Sequence, residues 1–353
     1  MVRAVSLVLA GMLTGCTWVG PEIVRSGRPA YNDAILATSD QQLLQNIVRT
    51  RFHDTVGFLN VSSITANVSV TATGAVNVGV GPSSSFAGNL VPLAGTVATE
   101  QNPTISYVPV SGDQLLRQFA TEIPLERVIL IVNSAIDRRQ AWRTLVRRVN
   151  DIRNPDFPDP PSIAVDLRFE EVVELAAMLQ ARGVLYWVRL AGAQTGFGFV
   201  LHSYSPASAR EVERLLSLLG IRNAVQAGED VIVPVQLSVG SPAQGSVVIE
   251  SRSMLDLMRL AAAGIELPDD VPGAARLRTP GPAGQGIHIR SAAAEPSQAR
   301  VATRYRDRWY YVGDDDDASK QWFNMLQFLA NAQLPEAAAG SVPVLTIPVT
   351  GRR

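Results

Sequence analysis

The only cysteine of this 353-residue chain, Cys16, limits how the protein can be stabilised and where it can work. Without a second cysteine the chain has no intramolecular disulfide. Residues 1–16 read MVRAVSLVLAGMLTGC, and an apolar run of about ten residues follows Arg3. Such a run is too short for the ~20 residues of a membrane-spanning helix and is typical of a secretory signal.

The residues just before Cys16 complete a bacterial lipobox. Thr14 and Gly15 are small enough to enter a narrow peptidase groove, and the thiol of Cys16 is the nucleophile that accepts the lipid. We therefore predict that residues 1–15 are removed as a signal peptide and that Cys16 carries a lipid anchor. A thioether at Cys16 leaves no thiol for catalysis or metal binding.

Residue 17 and the overall charge indicate the compartment and exclude one class of partner. Thr17 stands where an aspartate would retain many lipoproteins in the inner membrane, so the sequence favours an outer-membrane protein facing the periplasm. The formal net charge of −1 provides no overall field that attracts nucleic acid. The predicted partners are the membrane, through the lipid, and an envelope protein.

Apolar periodicity predicts an α+β fold in which mixed sheets pack against helices. Two prolines and two glycines within residues 17–30 indicate that the lipidated segment 16–30 is a flexible tether. Residues 154–161 and 268–286, rich in proline or glycine, mark two breaks. We expect three folded regions: an N-terminal α+β region at 31–153, a central α/β region at 162–267 and a C-terminal β-α-β region at 287–350.

The N-terminal region mixes both periodicities. We predict a helix over 41–51 that is N-capped at Ser39-Asp40, then a β-hairpin within 58–80. A long loop should fill 81–102 before a strand at 104–110. Helices are predicted at 111–119 and after Pro124. The aliphatic run 128–132 fits a buried helix or a buried strand, and its place soon after Pro124 favours the helix.

A further helix is predicted over 137–149. Its inward positions would be Trp142, Leu145, Val146 and Val149. Its outward basic row would be Arg139, Arg143 and Arg147. This row is either a solvated face or a surface for lipid phosphates or an acidic partner.

The remaining regions alternate between strands and helices. Predicted helices lie at 169–182, 206–219, 253–263 and 318–332. Predicted strands lie at 184–190, 198–203, 230–239, 246–250, 287–290, 301–305, 309–312 and 344–349.

The sequence contains no recognisable catalytic constellation. It has no nucleophile elbow, P-loop, H-E-x-x-H or intact G-x-G-x-x-G motif. Its histidines, His53, His202 and His288, show no metal-ligand spacing. A serine site built from His202 with Ser203 or Ser205 stays open, but a local strand-end role is favoured. We therefore predict no catalytic residue, no metal and no cofactor.

Two charged or aromatic segments near the C-terminus remain. The aspartates at 314–317 could bind a hard cation, but their place ahead of an amphipathic run favours helix capping. The segment 304–311 is either a recognition surface or an ordinary half-buried hairpin. Its candidate surface residues are Arg304, Arg306, Trp309 and Tyr310. Alternation places Tyr305, Trp309 and Tyr311 on one face.

Several segments carry a family resemblance. They are 31–35 (YNDAI), 42–51 (QLLQNIVRTR) with Asp54-Thr55, 58–64 (FLNVSSI), and the late RYR and WYY of 304–311 with the following aspartates. Together they resemble an uncharacterised family of proteobacterial outer-membrane lipoproteins. The resemblance covers most of the chain and implies an address and a shared fold, with no catalytic residue.

Two functional hypotheses follow. The first is an outer-membrane lipoprotein whose body acts as an interaction or scaffold module of the cell envelope and is not an enzyme. The alternative is an envelope hydrolase with a non-motif active site. A pocket that joins His202 or His288 to a carboxylate and a serine would favour the hydrolase. An exposed apolar or arginine-rich patch without such a site would favour the scaffold.

Overall fold

The computed structural model describes most of the chain. Backbone positions are described for residues 19–65, 68–75, 94–101, 104–110, 112–155, 166–190, 196–202, 205–206, 208–221, 228–237, 245–268, 286–338 and 345–348. Within these, the side chains of 19–28, 64–65, 68–75, 94–101, 335–338 and 345–348 are not described. Cys16 and most of the predicted breaks at 154–161 and 268–286 lie outside the described residues, so the three-region division stays a prediction.

The described residues form eight helices and fourteen strands. The helices are α1 (Val19–Arg51), α2 (Gly112–Ala120), α3 (Leu125–Ser134), α4 (Arg138–Leu145), α5 (Arg168–Ala181), α6 (Ala209–Leu218), α7 (Met254–Ala263) and α8 (Asp317–Ala338). The strands are β1 (Phe58–Thr65), β2 (Val68–Ala75), β3 (Ala94–Gln101), β4 (Thr104–Val110), β5 (Val146–Val149), β6 (Ile152–Arg153), β7 (Leu185–Leu190), β8 (Gly196–Leu201), β9 (Val231–Leu237), β10 (Val247–Ser251), β11 (Arg290–Ala292), β12 (Ala299–Tyr305), β13 (Arg308–Gly313) and β14 (Leu345–Pro348). The predicted α+β fold with mixed sheets is confirmed.

The chain divides into two compact units. One contains residues 1–56 and 116–333, and the other contains residues 57–115 and 334–353.

None of the helices in the described part of the chain combines the length and the apolar character needed to cross a membrane.

The first unit is built on a six-stranded sheet with the order β6-β5-β10-β9-β8-β7. Strands β9 and β10 run parallel, and every other neighbouring pair runs antiparallel. Helix α5 buries Phe169, Val172 and Val173 at helical spacing. The helix stops where predicted, because Gly183 adopts a φ of +69° that other residues rarely accept.

Helix α1 differs from the prediction at its start. It begins at Val19, so the described part of the expected tether is helical. Ser39 and Asp40 therefore lie inside the helix and do not cap its N-terminus. Residues 30–51 contain neither glycine nor proline to end the helix. The buried Asp40 instead binds Nη1 of Arg300 at 2.6 Å. Most side chains of residues 29–38 are exposed.

The predicted helix over 137–149 is wrong in its second half, because α4 ends at Leu145 and β5 follows. The side chain of Arg252 donates to the carbonyls of Arg143 and Thr144, at 2.6 and 2.9 Å. Asn154 also donates to the carbonyl of Arg143, at 2.7 Å. These contacts satisfy carbonyls that another helical turn would have used. The four residues after Leu145 pair with β10 instead.

A three-stranded sheet, β11-β13-β12, completes the first unit. Arg306 and Asp307 form the β12–β13 turn with φ values of +47° and +63°, as a two-residue hairpin turn requires. Tyr305 therefore pairs with Arg308 and shares a face with Tyr310. The predicted grouping of Tyr305 with Trp309 and Tyr311 is wrong, because it continued the alternation through the turn.

The second unit contains the sheet β1-β4-β14 and the pair β2-β3. The predicted hairpin within 58–80 is wrong, because β1 pairs with β4 and β2 pairs with β3. Residues 76–80 lie outside the described residues. Part of the loop predicted at 81–102 is the strand β3, and the strand predicted at 104–110 is confirmed.

Candidate functional site

A pocket of about 670 Å³ lies in the first unit, between the end of α3, the start of α4, residues 286–288 and the first half of α8. We call it the α3–α8 pocket. Its volume falls within the range of about 300–1,000 Å³ that is common for ligand sites. The residues that shape it include Ile131, Ile136, Gln140, Ile287, Trp322 and Phe328.

The rim of this pocket is apolar and open to solvent. Ile136 lies in the short connection between α3 and α4 and is 88% exposed. Phe328 is 68% exposed, although the neighbouring Leu326 and Leu329 of α8 are buried. Single exposed apolar residues are ordinary, but these two line one cavity. The rim therefore offers apolar surface to a binding partner.

The floor of the pocket is held in place by hydrogen bonds. Nε1 of the buried Trp322 donates to Oγ1 of Thr144 at 3.1 Å. Nε2 of Gln140 also lies 3.4 Å from that oxygen. Gly286 packs so closely that an added Cβ would lie 2.6 Å from Nε2 of Gln140 and from Nε1 of Trp322. The floor of the pocket therefore has a fixed shape before any ligand binds.

Two aspartates bring negative charge to the pocket and cap helices there. Asp137 accepts a hydrogen bond from the backbone N–H of Gln140 at the start of α4. Asp316 accepts from the N–H of Ser319 at 3.0 Å and from its hydroxyl at 2.6 Å. Burial raises the pKa of Asp316, but the bonds from Ser319 and the charges of Arg290 and His288 outweigh it, so the pKa lies below its ordinary value. The capping interpretation of 314–317 is confirmed for Asp316.

The pocket contains a histidine, a serine and an aspartate, but they are not arranged for nucleophilic catalysis. Nε2 of His288 lies 2.7 Å from Oε1 of Glu266, and it is the backbone N–H of His288 that donates to Oγ of Ser319. Ser319 is 2% exposed, and its hydroxyl is bound to Asp316. No imidazole therefore faces the serine as a general base.

The other histidines do not build a serine site within the described residues. Nδ1 of His202 lies 2.8 Å from Oδ1 of Asp230, and both side chains are exposed. Ser203 lies outside the described residues, so the interpretation that joined it to His202 stays open. No group of three histidine, cysteine or acidic side chains in the described part of the chain could hold a metal ion.

The predicted basic row is not one helical face. Arg139 and Arg143 lie on α4, but Arg147 lies on β5. Arg139 pairs with Glu174 of α5 at 3.3 Å, and Arg143 pairs with Glu170. Arg147 lies 3.6 Å from Glu250. Each arginine has a carboxylate partner on another element, so the three residues form ion pairs between elements. Whether they also meet lipid phosphates or an acidic partner stays a prediction.

The hairpin residues separate into exposed and buried groups. Arg304 and Arg306 are exposed and Trp309 is half-buried, but Tyr310 is 1% exposed. Tyr310 therefore belongs to the core and not to a recognition surface. The reason is the hairpin register, which places Tyr310 opposite the buried Thr303.

The C-terminal end of α1 meets the tip of this hairpin. The hydroxyl of Tyr305 donates to Oδ2 of Asp54, and Nη2 of Arg306 reaches the same oxygen at 2.7 Å. The guanidinium of Arg306 lies 4.7 Å from the ring centre of Phe52. Residues 52–54 and the hairpin tip at 305–306 are thus in direct contact.

The sequence interpretation missed the α3–α8 pocket. One signal was available, because Phe328 is a large aromatic residue out of phase with the buried stripe of α8. Ile136 stands in a break between two helices and carries no periodicity, so its role depends on the fold. Comparison with known proteins finds no matching family model, no matching curated protein and no matching solved structure.

Proposed function

We propose that this protein is an outer-membrane lipoprotein of the resembled proteobacterial family, whose body binds an envelope partner in the α3–α8 pocket. The observation that carries the proposal is the exposed apolar rim of Ile136 and Phe328 around a cavity of about 670 Å³. Apolar anchors that enter a preformed pocket supply much of the energy of protein recognition.

The polar residues of the pocket favour binding over hydrolysis. The hydroxyl of Ser319 is buried and bonded to Asp316, and the ring of His288 is directed to Glu266. A hydrolase would need a nucleophile and a base in mutual contact and open to substrate. The pocket instead presents an apolar rim with carboxamides, which suits a partner that is held and not cleaved.

Helix α1 supports the anchored arrangement. It begins three positions after Cys16, and most described side chains up to residue 38 are exposed. At about 1.5 Å per residue, the part from Val19 to residue 38 spans about 30 Å. Such a helix would act as a spacer between a lipid on Cys16 and the body.

Site-specific photo-crosslinking in cells tests the proposed function. A photoreactive amino acid at Ile136 should give one adduct of discrete mass in the outer-membrane fraction. Ile232 is the matched control, because it is an exposed isoleucine on β9 that does not line the pocket. Equal adducts at both positions, or none at Ile136, would contradict the proposal.

A further inference from the structure

The described ionisable residues that line the α3–α8 pocket are two aspartates and His288. The chain contains 31 lysines and arginines, yet none of the described residues that line the pocket is one of them. Asp137 and Asp316 both line it. Two arginines lie close to lining residues, but each is paired with another carboxylate. The charge of Arg290 acts on Asp316, and Arg290 binds Asp315 at 2.8 Å. Arg300 reaches Oδ1 of the lining residue Asn324 at 3.4 Å, and it binds Asp40 at 2.6 Å.

The two helix starts at the pocket do not make it an anion site. An uncapped helix N-terminus attracts anions through its N–H groups. Here Asp137 accepts from an N–H of α4 and Asp316 accepts from an N–H of α8. The positive ends of both helices therefore face carboxylates that the protein itself provides, and an anionic ligand would meet like charge.

The neutral polar residues indicate what else a ligand would need. Gln140, Gln321 and Asn324 line the pocket. Nε2 of Gln140 lies against Thr144, and Oδ1 of Asn324 accepts from Arg300. The exposed carboxamide of Gln321 offers both a donor and an acceptor, as a peptide backbone requires. The apolar surface of Trp322, together with the rim defined above, accommodates one large side chain.

We propose that the α3–α8 pocket takes a peptide segment of the partner in which a lysine or arginine adjoins a large apolar or aromatic residue. This inference rests on the proposed function and names its ligand class. The apolar side chain enters between Ile136, Trp322 and Phe328, and the basic side chain reaches Asp137 or Asp316. Opposite charges at the rim of the pocket add orientation and specificity to the apolar contact.

Selection from a random heptapeptide library on the full-length protein tests this ligand class. Peptides that combine a basic and a large apolar residue should be enriched, and their affinity should fall with added salt. Enrichment of acidic or uncharged peptides, or no enrichment, would overturn the proposal.

Two variants test the site with the same selected peptides. The double variant Asp137→Asn, Asp316→Asn removes both charges, and asparagine retains the N-cap because it is as good a cap as aspartate. Affinity should fall about tenfold, with only a small loss of melting temperature from removing two negative charges at helix starts. Ile136→Gln should also weaken binding, because it removes apolar surface without adding charge, whereas Ile232→Gln should not. Unchanged affinity in the double variant overturns the proposed chemistry.

Two further outcomes separate the proposed docking function from the proposed basic peptide ligand. If Ile136 crosslinks a partner in cells but the double variant still binds it equally well, the docking function stands and the basic ligand is wrong. If Ile136→Gln abolishes self-association of the purified protein, the occupant is a second copy of this chain, and the peptide proposal is overturned.

Discussion

Replacing Trp142 by alanine is expected to lower the free energy of unfolding by about 3 kcal/mol, and replacing it by phenylalanine should cost far less. Trp142 lies on α4 and is 6% exposed. Its ring centre lies 5.9 Å from that of Trp187 on β7. The residue therefore joins α4 to the far edge of the six-stranded sheet.

The size of the effect follows from two opposing contributions. Burial of a tryptophan removes about 150–250 Å² from water, which at about 25 cal/mol per Å² contributes about 4–6 kcal/mol. However, Nε1 of Trp142 is buried without a hydrogen-bond partner among the described residues. Such a donor costs about 1–3 kcal/mol, and alanine removes this cost as well.

Phenylalanine separates the two contributions. It keeps most of the ring contact with Trp187 and has no N–H to leave unbonded, so Trp142→Phe should cost at most about 1 kcal/mol. Urea unfolding followed by circular dichroism measures both variants. Equal losses in the two variants would refute the reasoning, as would a loss below about 1 kcal/mol for Trp142→Ala.

Two further predictions concern Asp54 and Gly286. The hydrogen bond from Tyr305, with the charge of Arg306, holds the pKa of Asp54 below its ordinary value. The charged Asp54 therefore stabilises the fold above the unfolded-state pKa of about 3.9, and this stabilisation is lost as the pH falls through the lower folded pKa. The difference in melting temperature between wild type and Asp54→Asn should accordingly shrink below about pH 4. Asp307→Asn, at the exposed hairpin tip, is the control and should show no such gap, and a gap that persists in acid would contradict this assignment. Gly286→Ala should push the indole of Trp322 away from Thr144 and cost about 1–3 kcal/mol in chemical unfolding, whereas an unchanged midpoint would show that the close approach is relaxed.

Local sequence patterns predicted most helices, because apolar spacing and helix-ending residues act within a few positions. For residues 128–132 the nearby Pro124 favoured a helix over a buried strand, and the helix is confirmed as α3. Helix α7 was expected at 253–263, and Ser253 caps it through Asp256. In both cases the decisive residues lie within one or two turns of each other.

Strand pairing and the pocket could not be predicted in the same way. Residues 146–149 have a pattern compatible with a helix, and they become β5 because β10, about one hundred residues later, pairs with them. The end of α4 depends on Arg252, which is equally distant in sequence. The α3–α8 pocket likewise combines residues from three separate segments, so no local pattern reveals it.

The ion pairs of the predicted basic row could not be predicted from local sequence either. Arg139 and Arg143 are outward on α4, as the spacing predicted, but their partners on α5 come from a helix about thirty residues later. A sequence shows where an arginine is placed on its own helix. Only the packing of that helix against another shows whether a carboxylate meets it.

Lipidation of Cys16 is the claim on which the anchored-module proposal depends, and metabolic labelling measures it directly. Cells that express the full chain are grown with an alkyne-tagged fatty acid, and the label is read on the purified protein and in separated membranes. The wild-type protein should carry the label and fractionate with the outer membrane, whereas Cys16→Ser should carry none and retain residues 1–15. Label on the Cys16→Ser protein, or an unlabelled wild-type protein, would contradict the proposal.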